Sequence, residues 1–205
     1  MGTTNAVVDL SHYNACVDFD ALKADGIFGV IHKATQGLGF VDPEYASRRQ
    51  QAVATGLKWG AYHFGAGADG TAQADYFLAH VLPTVGDLLV LDFELNNSGP
   101  TMTLTEARDF VTRIRAATGD WPGLYGGSYL KEQLNGTADS VLSNCWLWLS
   151  QYGPQAVLPP GWDSWTFWQY TDGHVGLGPF AAQGVGPCDR NMFQGSAAAL
   201  ASFWA

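Results

Sequence analysis

The chain has 205 residues, 47% of them hydrophobic, which is enough to bury one substantial core and falls within the size range of a single barrel-type domain. Its formal net charge of −9 would repel a polyphosphate backbone and so argues against nucleic acid as a partner; no apolar stretch approaches the roughly 18 residues needed to span a bilayer. The opening Met1-Gly2-Thr3-Thr4-Asn5 has neither the basic nor the apolar region of a secretory signal, so export is expected to use another route.

Taken in chain order, a first strand is predicted from Ala6 to Leu10, then a helix from Phe19 to Asp25 and a strand from Phe28 to Ala34. Helical signals from Pro43 to Thr55, Thr71 to Val81 and Thr103 to Thr118 alternate with strand signals from Lys58 to Phe64 and Asp87 to Glu94. The helix at Thr103 is the clearest. Thr103-Leu104-Thr105-Glu106 has the capping-box pattern, Ala107, Phe110, Val111 and Ile114 form an apolar stripe, and Gly119 stops it. Further strands are predicted from Trp121 to Tyr125, Cys145 to Ser150, Trp165 to Tyr170 and Cys188 to Asn191, with a closing helix from Ser196 to Phe203.

Alternating strands and helices imply a parallel sheet. After Ser150 the chain becomes rich in Gly, Pro and aromatics, and helical periodicity disappears. The expected fold class is therefore α/β: an eight-stranded barrel, residues 1–205 as one domain, that loses its helices late.

Asp92 and Glu94 close the apolar run Leu88-Leu89-Val90-Leu91. Alternate residues of a strand share a face about 6.6 Å apart, so both carboxylates point the same way. Such a pair suits glycosidic bond cleavage, which needs one protonated carboxyl and one ionised one. In a barrel the loops at the C-terminal strand ends carry the chemistry, and those ends would bring Asp9, Lys33, Tyr62 and Phe64 towards Asp92 and Glu94. The last strands would add Trp168 and Asp189. Taken singly, each has a plainer reading as a turn-former, an exposed cation or a core aromatic. A rim of four carboxylates cannot be fully ionised cheaply, so at least one should hold its proton near neutral pH. Glu94, with the longer side chain, is the expected donor. Tyr62, Phe64, Tyr125, Tyr152 and Trp168 are candidates to line a sugar groove, whereas Trp146 and Trp148 share one face of a strand and are expected in the core.

Cys16, Cys145 and Cys188 have no metal-ligand spacing, and none of the five histidines falls at i and i+4, so neither a metal nor another cofactor is expected. Free thiols are the default. A Cys16–Cys188 bridge stays open because barrel closure brings the first and last strands together.

The ordered set Val8-Asp9-Leu10-Ser11-His12, Lys33-Ala34-Thr35-Gln36-Gly37, Gly60-Ala61-Tyr62-His63-Phe64, Leu91-Asp92-Phe93-Glu94, Trp165-Thr166-Phe167-Trp168-Gln169-Tyr170 and Asp189-Arg190-Asn191-Met192-Phe193 resembles the Chalaropsis-type lysozymes, family 25 of the glycoside hydrolases. The resemblance covers nearly the whole chain. It implies an irregular TIM-like barrel, (β/α)5 followed by three strands with little helix. It also implies hydrolysis of the β-1,4 bond from N-acetylmuramic acid to N-acetylglucosamine in peptidoglycan, with net retention. Matched residue by residue, the acid catalyst falls on Glu94, its partner on Asp92, and two further site acids on Asp9 and Asp189. Gln36 stands where a glutamate is usual, which bears on subsite detail.

The resemblance implies peptidoglycan glycan strands as partner; a monomer is expected, and a chain of 205 residues is expected to have no room for a separate cell-wall-binding module. Such an enzyme would act at the cell wall or periplasm, reached through a phage pore, by specialised export, or with a signal already trimmed. Two other readings are a chitinase-like hydrolase, for which Asp87, Asp92 and Glu94 match three acidic positions and Val90 fails the fourth, and a catalytically inactive glycan-binding barrel.

Overall fold

The computed structural model describes residues 2–205. Eight strands are the staves of a closed barrel: β1 (Thr4–Leu10), β2 (Gly29–Gln36), β3 (Lys58–Phe64), β4 (Leu88–Asp92), β5 (Gly123–Gly126), β6 (Trp146–Ser150), β7 (Phe167–Thr171) and β8 (Asp189–Phe193). Each pairs with the next and β8 returns to β1, which removes the open sheet edge. From β1 to β7 every pairing is parallel. Here the expectation of a parallel sheet needs one correction: β8 runs antiparallel to both its neighbours. The loop of residues 172–188 joins β7 to β8 at one end of the barrel, so no crossover helix is needed.

Helices α1 (Phe19–Ala24), α2 (Tyr45–Ala54), α3 (Gly70–Val81) and α4 (Leu104–Thr118) follow the first four staves. Thr103 Oγ1 accepts from Glu106 N–H while the Glu106 carboxylate accepts from Thr103 N–H, and Gly119 ends the helix at φ 88°, the start and the stop read in the sequence. A fifth helix, α5 (Ser128–Leu134), was not foreseen; its seven residues bury only Leu130 and Leu134, too few for a visible period. The last helix is α6 (Ala197–Phe203), capped by Ser196. Helix-free connections after β6 and β7 complete the (β/α)5 plus three-strand plan.

Side-chain alternation sorts the molecule into two apolar regions on either side of the barrel wall. Outside it, Phe77, Phe93, Phe110 and Ile114 are among the side chains packed between staves and helices. Inside, Val7, Ile31, Val90, Trp148, Phe167 and Phe193 stack towards Trp204, which closes the floor. A bulge between Asn5 and Val7 lets both Ala6 and Val7 join the inner group. The floor is fitted to Trp204 by a missing side chain, since a Cβ on Gly29 would lie 2.7 Å from its ring. The Trp204 Nε1–H donates to Trp59 O at 3.0 Å.

Cys16 is exposed, Cys145 and Cys188 are buried, and all three are thiols, so the structure does not form the Cys16–Cys188 bridge. No helix among the described residues is long and apolar enough to cross a membrane.

Candidate active site

The inward positions at the mouth of the barrel are polar where those below are not. Asp9, Asp92, Asp189, Tyr62, Tyr125, Ser150 and Gln169 come from seven staves and line one cavity of about 350 Å³ together with Glu94, Trp148 and Tyr152. Trp148 forms its base, edge-on to Tyr125 at 4.7 Å and to Tyr62 at 6.3 Å between ring centroids.

β4 ends at Asp92, so Glu94 lies two residues beyond the strand rather than within it, as the sequence had suggested. The Phe93 N–H still donates to Tyr125 O at 2.9 Å, which extends the pairing by one bond and leaves Glu94 on the Asp92 side of the wall while Phe93 is buried outside. Asp189 reaches the mouth at the first residue of its stave because β8 runs the other way. All four carboxyls predicted from sequence therefore border one space.

Their environments differ. Asp9 is held by donors from two directions. Asn191 Nδ2 donates to it at 2.8 Å, and Gln169 Nε2 lies 3.1 and 3.0 Å from its two oxygens. Both amides are turned that way by their own acceptor sides: Trp148 Nε1–H donates to Asn191 Oδ1 at 2.6 Å, while Tyr125 and Tyr152 hydroxyls each lie 2.8 Å from Gln169 Oε1. Burial pushes the Asp9 carboxyl up to about 6, opposed by these hydrogen bonds, which favour its anion. Asp189 is pushed up to about 8, first by burial and then by the Asp9 charge.

The Asp92 carboxyl is raised well above the usual range, by burial first and then by Glu94, with the Lys33 ammonium opposing. Its Oδ1 is buried with no hydrogen-bond partner. Glu94 is also raised, by burial and then by Asp9, and Lys33 again opposes. The Glu94 charge thus acts on Asp92, whereas the charge acting on Glu94 is that of Asp9.

Lys33 does not line the cavity wall. Its Nζ donates to Gln36 Oε1 at 2.7 Å and lies 4.9 Å from the centre of the Phe64 ring and 5.6 Å from that of Phe40, at the edge of the mouth. Phe64 therefore supports Lys33 instead of lining the cavity. Trp168 is placed differently from the expectation. It faces the outer core, 5.9 Å from Trp165, and its Nε1–H donates to Gln151 O at 2.7 Å. The parity that turns Gln169 inward turns Trp168 outward. Asp87, the extra acid of the chitinase-like reading, sits at the opposite end of β4, paired with Arg49.

Sequence reasoning missed Gln169, Asn191, Ser150 and Trp148 as site residues. Their signal was inward parity: Asn191 lies two residues beyond Asp189 on β8, and Trp148 and Ser150 on β6 lie four and two residues before Tyr152, whereas Gln169 on β7 had no such neighbour. Among the described residues, no group of three or more His, Cys, Asp or Glu side chains is arranged to hold a metal ion. His32 and His63 face the outer layer, where burial lowers both to about 4.

The chain is 32% identical to Lysozyme M1 of Streptomyces globisporus over 214 residues, covering 94% of this chain and 69% of that protein. It is 32% identical to the N,O-diacetylmuramidase of Chalaropsis sp over 185 residues, covering 82% of this chain and 88% of the relative. The solved structure of a family GH25 lysozyme from Aspergillus fumigatus superposes with a TM-score of 0.85 at 27% identity, covering 100% of both chains. The family model described as Glycosyl hydrolases family 25 matches residues 8–178. That span takes in the staves that deliver Asp9, Asp92 and Glu94 to the mouth, and the chain belongs to glycosyl hydrolases family 25.

Proposed function

We propose that this glycosyl hydrolase is a muramidase (a lysozyme) that cleaves the β-1,4 bond from N-acetylmuramic acid to N-acetylglucosamine in peptidoglycan, with net retention and with Glu94 as general acid. One observation carries the assignment of roles: both carboxyls of the Asp92–Glu94 pair are raised and both border the cavity, yet Asp92 is buried while Glu94 is only half-buried. A raised carboxyl holds its proton to higher pH, and that proton is the one an acid catalyst must deliver to the leaving oxygen.

Asp92, raised by burial and then by the Glu94 charge, competes for that proton, and its buried Oδ1 has no hydrogen-bond partner. An acetamido N–H of the bound sugar that donates to this oxygen would favour the Asp92 anion and leave the proton on Glu94. Asp92 would then stabilise the developing positive charge, either by attacking the anomeric carbon or by orienting the acetamido group as the nucleophile. Asp9, kept anionic by Asn191 and Gln169, raises the proton affinity of Glu94 from the far side. Tyr62, Tyr125 and Tyr152 supply flat faces and hydroxyls for the sugar rings.

Residues 1–205 act as one catalytic barrel and as a monomer, and peptidoglycan as substrate sets the site of action at the cell wall. Mass analysis of muropeptides released from purified sacculi tests the reading. New reducing ends at muramic acid are expected. Ends at glucosamine, cleavage of chitin in preference to sacculi, or binding of sacculi by a folded sample without any release would sink it.

A further inference from the structure

A second cavity, of about 760 Å³, opens from the first and shares Glu94, Ser150 and Tyr152 with it. Its far walls carry apolar side chains that face solvent: Leu95 is 53% exposed, Val157 55% and Val175 57%. Its one basic lining residue is Lys131. The Lys131 Nζ donates to Gln151 Oε1 at 2.7 Å, and Gln151 is anchored in turn, its Nε2 donating to Gln155 O at 2.9 Å and its Oε1 accepting from the Val157 N–H at 3.3 Å. This single bond aims the ammonium and leaves two of its protons unused. No carboxylate among the described residues lies within ion-pair distance of it. In a chain with net charge −9, a partly buried and uncompensated cation in a groove that begins at Glu94 is complementary to an anionic ligand.

We propose that this groove receives the stem peptide carried by the muramoyl sugar, and that Lys131 is a specificity residue that meets a carboxylate of that peptide. The inference rests on the muramidase reading. A muramoyl ring whose glycosidic oxygen faces Glu94 carries its peptide on the same ring, and this groove starts at Glu94. Apolar walls suit the alanyl methyl groups of a stem, and one fixed ammonium suits an acidic residue within it.

The test compares kcat/KM on two substrates, stem-bearing glycan and glycan stripped of its stems by an amidase. For Lys131→Ala the ratio of stem-bearing to stripped activity should fall about tenfold, carried by KM. It should fall further for Lys131→Glu and return towards the wild-type value for Lys131→Arg. A second measurement needs no variant: amidating the stem carboxylates should weaken wild-type activity and abolish the difference between wild type and Lys131→Ala. Equal losses on both substrates, or an unchanged ratio together with indifference to amidation, would overturn the proposal. Wild-type protein that cleaves neither substrate would overturn the muramidase reading itself, and this inference with it.

Discussion

At the floor of the barrel Trp204 lies over Gly29 with its indole N–H satisfied by a backbone carbonyl, and the side chains around it are aromatic or aliphatic. A few residues along the same staves, Asp92 is also buried but borders the cavity, and one of its oxygens meets no donor. The strands supply both ends by one rule, alternate residues inward, so the contrast comes entirely from which side chains occupy successive levels. β6 shows it in a single run: Trp146 below, Trp148 in the middle, Ser150 at the mouth. One end is built for stability and the other retains groups that folding would rather not bury, as expected where binding a ligand compensates.

The sharpest way to break this comparison is at Glu94. Glu94→Gln should lower kcat on sacculi by about 10³-fold with the unfolding midpoint essentially unmoved; near-wild-type turbidity clearing would remove Glu94 from its role. At the floor the pattern should invert. Trp204→Ala opens a cavity over Gly29 and should cost about 3–5 kcal/mol in denaturant unfolding, with kcat/KM on the surviving folded protein little changed. A large loss of turnover at low denaturant would show that the two ends are coupled.

Asp189 sharpens the same contrast through pH. Its folded-state carboxyl titrates at about 8, above the ordinary value of 3.8, so the native state binds the extra proton. The resulting penalty is absent below about pH 4, grows as pH rises, and is complete above pH 8. Asp189→Asn should therefore stabilise the protein by about 1–3 kcal/mol at pH 8.5, after allowance for solvent screening, and by nothing at pH 4. A constant difference across that range in pH-resolved thermal melts would refute the linkage. The smallest effect expected is at Trp168, which faces the outer core: Trp168→Phe should leave kcat/KM within about twofold and cost roughly 1 kcal/mol of stability. A strong rise in KM would return Trp168 to the groove.

Much of the architecture was legible because it rests on periodicity and punctuation. The apolar stripe of α4, its Thr103–Glu106 box and Gly119 coincide with the observed ends, and the loss of helix after Ser150 follows from composition. The acid cluster was legible from Asp92 and Glu94 on one run and from acids at other strand ends. What stayed hidden depends on direction. Whether Trp168 or Gln169 turns inward is a matter of one-residue parity, and the reversal of β8 is decided by a loop with no regular pattern. The Trp148–Asn191–Asp9–Gln169 chain links residues far apart in sequence, and amide side chains on strands give no periodic signal.

The reversal of the last stave also decides how freely the protein can be remodelled. On β1 and β4 the chain delivers Asp9 and Asp92 first and enters the loop afterwards, so those loops can lengthen, beyond Glu94 in the case of β4, without disturbing the carboxylates. On β8 the order is inverted, and Asp189 is the first residue after the 172–188 excursion. Any graft or deletion there feeds directly into the alignment with β1 and β7. A slip of one position would swing the carboxyl out of the barrel and offer Cys188 or Arg190 to the substrate instead.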